Sequence, residues 1–276
     1  MKKILFGSLC CIICATGVAQ VKMPAPSPTQ TIKQDFGMGS IELKYSRPSA
    51  KGRTVYGDLV PFKKLWRTGA NSATVIRFSD PAEIGGKKID SGSYALYSIP
   101  GFESWEIILN KGVTNSGTSG YKESDDVVRF RVEPTKIKSN IETFTMQFAD
   151  IKPETCELHI MWEKTAVIIP IKVDIKEKVK AQLDAAMLTD KKPYWQAAQF
   201  YHEYDKNSAK ALENVTKALE QNPKAFWMWI YKAKIQQEAG DNAGAMISSQ
   251  ESLKLATEEK NDDYIKMNVE LQKKLK

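Results

Sequence analysis

The sequence is poor in the residue types on which many catalytic and metal sites depend. Histidine occurs only twice in 276 residues, at His159 and His202. Two histidines so far apart argue against a histidine-rich metal centre and against most histidine-based acid–base schemes. The chain also lacks a nucleophile elbow, a zinc-binding helix motif and a phosphate-binding loop. We therefore predict no metal site and no cofactor.

Cysteine is scarce outside the first twenty residues. Cys10, Cys11 and Cys14 lie in the N-terminal apolar segment, which leaves Cys156 as the remaining thiol. One thiol cannot form an internal disulfide, so side-chain packing has to stabilise the fold. We predict that Cys156 is a small buried apolar side chain. An activated thiol is the alternative, but no neighbouring residue in the sequence suggests a lowered pKa.

Long hydrophobic runs are missing beyond the N-terminus. Residues 1–20 start with Lys2 and Lys3, continue as an apolar run from Ile4 to Val18, and end in small residues. This pattern is typical of a cleaved secretory signal peptide, and the run is short for a membrane span. We expect an exported protein, periplasmic or secreted, with no membrane span after cleavage. Alternating prolines make residues 21–29 an extended leader.

Clusters of basic residues are also missing. The formal net charge of +7 is spread along the chain, without a run of five or six basic residues or a basic stretch interleaved with aromatics. Nucleic acid is therefore not an expected partner.

Residues 30–175 show a period-two alternation of apolar and polar side chains. Ile41, Leu43 and Tyr45, for example, alternate with charged residues. This pattern predicts antiparallel strands with one buried face. Gly85-Gly86 indicates a tight turn, and Glu163 to Thr165 is interpreted as the turn of a second hairpin. With no helical pattern in between, we predict an antiparallel β-sandwich with a jelly-roll-like arrangement.

One polar loop stands out in this region, from Leu65 to Thr74. It combines aromatic, guanidinium and amide side chains ahead of an alternating strand. Aromatic faces beside converging polar groups are a common way to hold sugars and planar ligands. The structural alternative is that the tryptophans belong to the core, that Asn71 caps a turn and that Arg67 pairs with a carboxylate. The predicted ligand-binding residues are Trp66, Arg67, Asn71, Tyr94, Trp105 and Asn110.

A glycine-rich segment between Asn110 and Tyr121 follows. Its three glycines and row of hydroxyl side chains favour a flexible connection. If the segment folds over the loop at Trp66 to Asn71, it would act as a lid. An ordinary surface connection is the simpler interpretation.

Three pieces of this region occur in order and at close spacing: Trp66-Arg67-Thr68-Gly69-Ala70-Asn71, then Gly92-Ser93-Tyr94, then Trp105 with Asn110. Together they resemble the bacterial secreted family known as domain of unknown function 2911. The resemblance covers most of residues 30–175 and implies a shared fold and an extracytoplasmic location. It implies no catalytic residues.

Residues 176–276 change to helical spacing rich in alanine, lysine, glutamate and leucine. Trp195 and Trp229 stand 34 residues apart, which is the tetratricopeptide period, and small residues follow each of them at the expected positions. We predict a tetratricopeptide-like array of helical hairpins, with a lead-in helix from Lys176 to Met187 and a last helix from Asp262 to Leu275. The predicted partner-binding residues are Trp195, Phe226, Trp227 and Tyr231.

The predicted organisation is therefore α+β by separate domains. It consists of a signal peptide (1–20), a leader (21–29), a β-sandwich (30–175) and a helical-repeat domain (176–276). We expect an exported, non-enzymatic binding protein whose repeats hold an unknown protein or peptide. The alternative is an extracytoplasmic enzyme that acts on a glycan or cell-envelope component through the loop at Trp66 to Asn71. A third interpretation is a purely structural envelope factor without a ligand.

Overall fold

A computed structural model of the chain describes residues 23–276. The predicted signal peptide lies outside the described residues, as does the start of the leader. Within residues 23–276, no helix combines the length and the apolar character needed to cross a membrane.

The first half of the described chain consists of antiparallel strands. Two sheets are present, a six-stranded one in the order β1-β2-β3-β6-β7-β8 and a four-stranded one in the order β5-β4-β10-β9. The strands are β1 (Thr29–Phe36), β2 (Gly39–Ser46), β3 (Thr74–Phe78), β4 (Ala82–Ile84), β5 (Lys87–Ile89), β6 (Gly92–Ile99), β7 (Trp105–Asn110), β8 (Asp126–Val132), β9 (Thr135–Ala149) and β10 (Thr155–Lys172).

Both sheets contribute to one hydrophobic core. Leu43 and Ile76 from the six-stranded sheet belong to the same buried cluster as Leu158 and Ile169 from the four-stranded sheet. Their spacing is the period-two alternation seen in the sequence, because successive side chains of a strand point to opposite faces. The apolar faces of the two sheets therefore exclude water together.

The tight turn predicted at Gly85-Gly86 is confirmed. It joins β4 to β5, and both glycines have a positive φ, 58° and 74°. Glycine adopts such angles without the Cβ clash that other residues suffer, which suits a two-residue hairpin turn.

The second predicted hairpin, around Glu163 to Thr165, is wrong. The chain continues as one long strand, β10, which pairs with β9 on both sides of this point, Met161 with Thr145 and Thr165 with Lys136. Glu163 has a φ of 50° and marks a register shift between the two strands. Such a bulge bends a strand and changes which residues face inward, so in the sequence it resembles a turn.

Six helices follow the sheets in the described chain, which makes the fold α+β. Each helix packs against the next, and the closest pairs are α2 with α3 and α4 with α5. Asn207, Asp241 and Asn261 cap α3, α5 and α6 by accepting a hydrogen bond from a backbone N–H of the first turn. The helices are α1 (Lys176–Ala186), α2 (Tyr194–Glu203), α3 (Ser208–Gln221), α4 (Phe226–Glu238), α5 (Asn242–Glu258) and α6 (Asp262–Lys274).

The first and last helices lie where the sequence predicted them. Helix α1 begins at Lys176 and α6 begins at Asp262, and each ends one residue before its predicted end. Lys178 of α1 contacts the strand region, with its Nζ 2.6 Å from Asp80 Oδ1.

The buried position predicted for Cys156 is confirmed, with 1% of its surface exposed. Burial is the main reason that its pKa rises to about 12, and the nearby Glu157 carboxylate adds to the effect. A thiol with such a pKa stays protonated at neutral pH and is a poor nucleophile.

Candidate functional site

Trp66 anchors the polar loop inside the protein. Its backbone N–H and carbonyl pair with Ser98 of β6 at 2.8 and 2.9 Å, and its indole Nε1 donates to the Gly69 carbonyl at 3.0 Å. The ring is 8% exposed and packs against other aromatic rings of the core. Trp66 therefore fixes the start of the loop and presents no flat face to solvent in this structure.

Three other residues of the predicted ligand set are also inside the protein. Trp105 is 2% exposed and Asn110 is fully buried, while the hydroxyl of the mostly buried Tyr94 donates to the Asp90 carbonyl at 2.8 Å. Asn110 Nδ2 donates to the Asp126 carboxylate at 2.8 Å. These side chains have internal partners, so their placement indicates packing and positioning roles.

Arg67 and Asn71 form the more accessible part of the loop. Asn71 has a φ of 60°, and its side-chain Nδ2 donates to Ser46 Oγ at 3.2 Å and to the Ser27 carbonyl at 3.2 Å. Arg67 Nη1 donates to the Asn71 carbonyl at 2.9 Å. The Arg67 guanidinium thus stabilises the turn by bonding to a backbone oxygen. The sequence had suggested a carboxylate as its partner.

The glycine-rich segment lies directly over this loop; we call residues 111–120 the strap. The Ala73 N–H donates to the Asn115 carbonyl at 3.3 Å. Tyr97 of β6 makes two hydrogen bonds to the strap. Its hydroxyl donates to the Gly117 carbonyl at 3.1 Å and accepts from Asn115 Nδ2 at 3.1 Å. A Cβ on Gly117 would collide with the guanidinium of Arg67. The strap and the loop are therefore in close contact.

An ion-pair network anchors the far end of the strap. Arg129 on β8 pairs with Glu106 and Asp126, both at 2.9 Å, and donates to the Tyr121 hydroxyl at 2.8 Å. Burial, followed by a hydrogen bond to Asp126, raises the pKa of Tyr121 to about 12. These contacts hold the residue that directly follows the strap.

A small cleft of about 340 Å³ opens between β2, the loop and the strap; we call it the loop cleft. Hydroxyl and amide side chains dominate its polar lining, and Lys44 is the one charged residue that lines it among residues 23–276. Its lining residues are Thr29, Lys44, Tyr45, Ser46, Asn71, Ser72, Ala73, Val75, Val113, Thr114 and Asn115.

The sequence did not single out Lys44, Ser46 or Asn115 as site residues. Lys44 is the outward residue between two buried ones, Leu43 and Tyr45, so its direction follows from the alternation of β2. Its proximity to Asn71 and Asn115 depends on how β2, the loop and the strap meet in space. No local sequence pattern predicts that these three segments come together.

A second, larger cleft lies where the strands meet α1. It measures about 800 Å³, and both acidic and basic side chains line it, including the bridged pair Asp80 and Lys178. None of the predicted ligand-binding residues lines this cleft.

The helical residues predicted to bind a partner fall into two places. The rings of Trp195 on α2 and Tyr231 on α4 meet edge to face with centroids 4.9 Å apart, and the Tyr231 hydroxyl donates to Glu203 at 2.9 Å. Burial and that hydrogen bond raise the pKa of Tyr231. Phe226 packs on Tyr264 of α6, whereas its neighbour Trp227 is 38% exposed. Trp227 is the most accessible of the four.

The two histidines each contact a glutamate in their own half of the chain. His159 Nε2 lies 2.7 Å from Glu157, and His202 Nε2 lies 2.7 Å from Glu238. Across residues 23–276, no three His, Cys, Asp or Glu side chains come together in a group that could hold a metal ion.

Comparison with known proteins gives a family but no function. No curated protein and no solved structure matches the chain. Residues 27–171 match the family described as "Protein of unknown function (DUF2911)", and the match ends before the first helix. Because this match spans more than half of the 276 residues, the chain belongs to the DUF2911 family.

Proposed function

We propose that the protein is an exported binding protein with two separate binding surfaces. Its two sheets form a β-sandwich that holds a small polar ligand in the loop cleft. Its helices form a tetratricopeptide-like module that binds a protein or peptide. Export rests on the signal peptide predicted from the sequence.

The common core supports the sandwich arrangement. Antiparallel sheets that bury their inner faces in one cluster, with polar residues between the buried ones, are typical of sandwiches. The loop cleft then lies at one end of the six-stranded sheet, where loops gather and where ligand sites of such folds often occur.

The helix pairs support the repeat arrangement. In α2 with α3 and in α4 with α5, fully buried alanines allow close helix approach; they are Ala198, Ala211, Ala233 and Ala245. Two serines of α5, Ser249 and Ser252, bind Asn268 of α6 through hydrogen bonds of 2.9 and 2.8 Å. Helix α6 thus covers the end of the array, as a capping helix would.

The lining of the loop cleft is the observation that carries the choice of binding over catalysis. Hydroxyls, amides and a single lysine surround it, and none of its lining residues is a carboxylic acid. A glycoside hydrolase normally needs two carboxyl groups on either side of the bond it cleaves. The alternative, an extracytoplasmic enzyme acting on a glycan or envelope component, therefore has less support at this site.

A thermal-shift screen tests the ligand role of the loop cleft. The protein would be screened against oligosaccharides, metal ions and peptides, beside Asn71→Gly and Asn140→Ala. Glycine keeps the positive φ of residue 71 and removes only the amide, while Asn140 is exposed on β9. We expect one class to raise the melting temperature of the wild type and of Asn140→Ala but not of Asn71→Gly. Stabilisation that survives in Asn71→Gly, or no stabilisation by any class, contradicts this role.

Affinity capture from an extracytoplasmic extract tests the helical role separately. The partly exposed ring of Trp227 is the contact to remove, because it is available to a partner and lies outside the buried hydrophobic clusters of the helices. We expect Trp227→Ala to lower the melting temperature by no more than a few degrees and to lose a partner that wild type retains. Equal capture by both proteins would contradict the assignment.

A further inference from the structure

Among residues 23–276, the one charged side chain that lines the loop cleft is a cation, Lys44. From this we propose that the ligand of the cleft is a saccharide-like molecule that carries an anionic group, a carboxylate or a phosphate, and that Lys44 pairs with this group. The inference rests on the proposed ligand role of the cleft.

The residues directly opposite Lys44 carry no charge, and Glu42, which shares its face of β2, lies opposite the cations Lys33 and Arg77. The two uncharged residues are Thr31 on β1 and Val75 on β3. Directly opposite pairs are the closest cross-strand neighbours, so an acidic residue at either place would have neutralised the ammonium group. Because Lys44 is exposed and lines the cleft, its charge is available to a ligand.

Arg67 adds a second positive charge behind the cleft. It donates to the backbone carbonyl of Asn71, and Asn71 itself lines the cleft. This bond leaves the guanidinium charge intact. With two cationic side chains near it and no acidic residue in its lining, the loop cleft attracts anions and repels cations.

The remaining lining suits a hydroxyl-rich body. The exposed hydroxyls of Ser72 and Thr114 both donate and accept hydrogen bonds, which is what sugar hydroxyls need, and Asn115 adds its amide oxygen. The volume of about 340 Å³ lies at the small end of ligand pockets, so a single ring with its charged group is a better match than a long chain.

Three probes with the same ring test the inference: glucose, glucuronate and glucose 6-phosphate. Inorganic phosphate is the fourth probe and supplies the anion without the sugar. Binding would be followed through the side-chain amide NMR signals of Asn71 and Asn115. The variants are Lys44→Gln and, as a matched loss of one charge, Lys138→Gln, an exposed position on β9 outside the cleft.

We expect at least one anionic sugar to bind about tenfold more tightly than glucose, as a charge-assisted hydrogen bond would provide. Lys44→Gln should abolish that preference and Lys138→Gln should keep it. Preference for glucuronate identifies a carboxylate as the anion, and preference for glucose 6-phosphate with a response to phosphate identifies a phosphate.

Two results would overturn the inference and have different meanings for the proposed function. If glucose and the anionic sugars bind equally, or if the preference is unchanged in Lys44→Gln, Lys44 does not recognise an anionic group. The loop cleft would still be a binding site. If no probe changes the NMR signals, the proposal of an anionic sugar ligand is wrong. The thermal-shift screen then decides whether the cleft binds a ligand of another class.

Discussion

The indole ring of Trp66 stacks on that of Trp162, with ring centroids 6.1 Å apart and planes inclined by 21°. Trp105 and Phe144 meet the Trp66 ring edge to face at 6.2 and 5.2 Å. Trp105 belongs to the six-stranded sheet and Trp162 to the four-stranded sheet, so Trp66 links the polar loop to both sheets.

We therefore expect Trp66→Ala to lower the free energy of unfolding by about 3–5 kcal/mol, the usual range for truncating a buried aromatic residue. Trp227→Ala is the control, and because Trp227 is 38% exposed it should cost about 1 kcal/mol or less. Denaturant unfolding measures both. A Trp66→Ala protein of nearly wild-type stability that has lost ligand binding would instead support the aromatic platform predicted from the sequence.

Tyr56 provides the second prediction because its hydroxyl is buried and has no hydrogen-bond partner within residues 23–276. Burial, followed by the nearby Glu163 carboxylate, raises its pKa. Removing an unsatisfied polar group relieves its desolvation cost, so Tyr56→Phe should leave the protein unchanged or stabilise it by about 1 kcal/mol.

Tyr45→Phe is the matched control for this experiment. The Tyr45 hydroxyl donates to Gln30 Oε1 at 2.8 Å and accepts from the Met146 N–H at 2.8 Å. Its loss leaves a buried backbone N–H unpaired and should cost about 1–3 kcal/mol. Chemical denaturation of both variants gives the comparison, and a destabilised Tyr56→Phe would indicate a partner, such as a bound water, for that hydroxyl.

The parts of the fold that local pattern controls were predictable. Period-two alternation located strands such as β2, the glycine pair located the β4–β5 turn, and helical spacing located α1 and α6. The bulge at Glu163 was mistaken for a turn because both interrupt the alternation in the same way. Only the pairing with β9 on both sides distinguishes them, and that pairing is not local.

The predicted ligand-binding residues do not share one surface in the structure. Asn71 lines the loop cleft and Arg67 donates to its carbonyl, whereas Trp66, Trp105 and Asn110 are internal. An aromatic residue in a polar loop has the same sequence signal whether its ring points inward or outward. Lys44 was not singled out because its place in the lining depends on a strand, a loop and a strap that meet only in the folded chain.

Cys156 provides a prediction about pH. Its folded pKa is raised to about 12 from 9.0, mainly by burial. Below pH 9 the thiol is protonated in both states and contributes nothing to the pH dependence. Above pH 9 the unfolded state loses this proton and the folded state keeps it, so stability should fall as pH rises between about 9 and 12.

Thiol labelling at pH 8 offers a direct check on this burial. In a chain with Cys10, Cys11 and Cys14 replaced by serine, the one remaining thiol should react with a disulfide reagent only as fast as the protein opens. Denaturant should restore rapid labelling. Fast reaction under native conditions would show that Cys156 is accessible and would contradict its assignment to the core.

Gly117 supports the last prediction, which concerns the contact between strap and loop. It has a φ of 64°, and a Cβ there would collide with the Arg67 guanidinium. Gly52 has a similar φ of 72° but open space around its Cβ position. Each glycine-to-alanine change should lower the free energy of unfolding by about 1 kcal/mol, because alanine is strained at a positive φ. Gly117→Ala should cost more than Gly52→Ala because it must also displace Arg67.

A double-mutant cycle separates the cost of backbone strain from the cost of displacing Arg67. If the extra cost comes from the guanidinium, Arg67→Ala should remove it, so that Gly117→Ala in that background costs no more than Gly52→Ala in the same background. Urea unfolding of the single and double variants measures the coupling energy. Independent, additive effects would mean that the strap does not rest on Arg67 in solution. A measured coupling would show that the strap and the Arg67 side chain are in contact in solution.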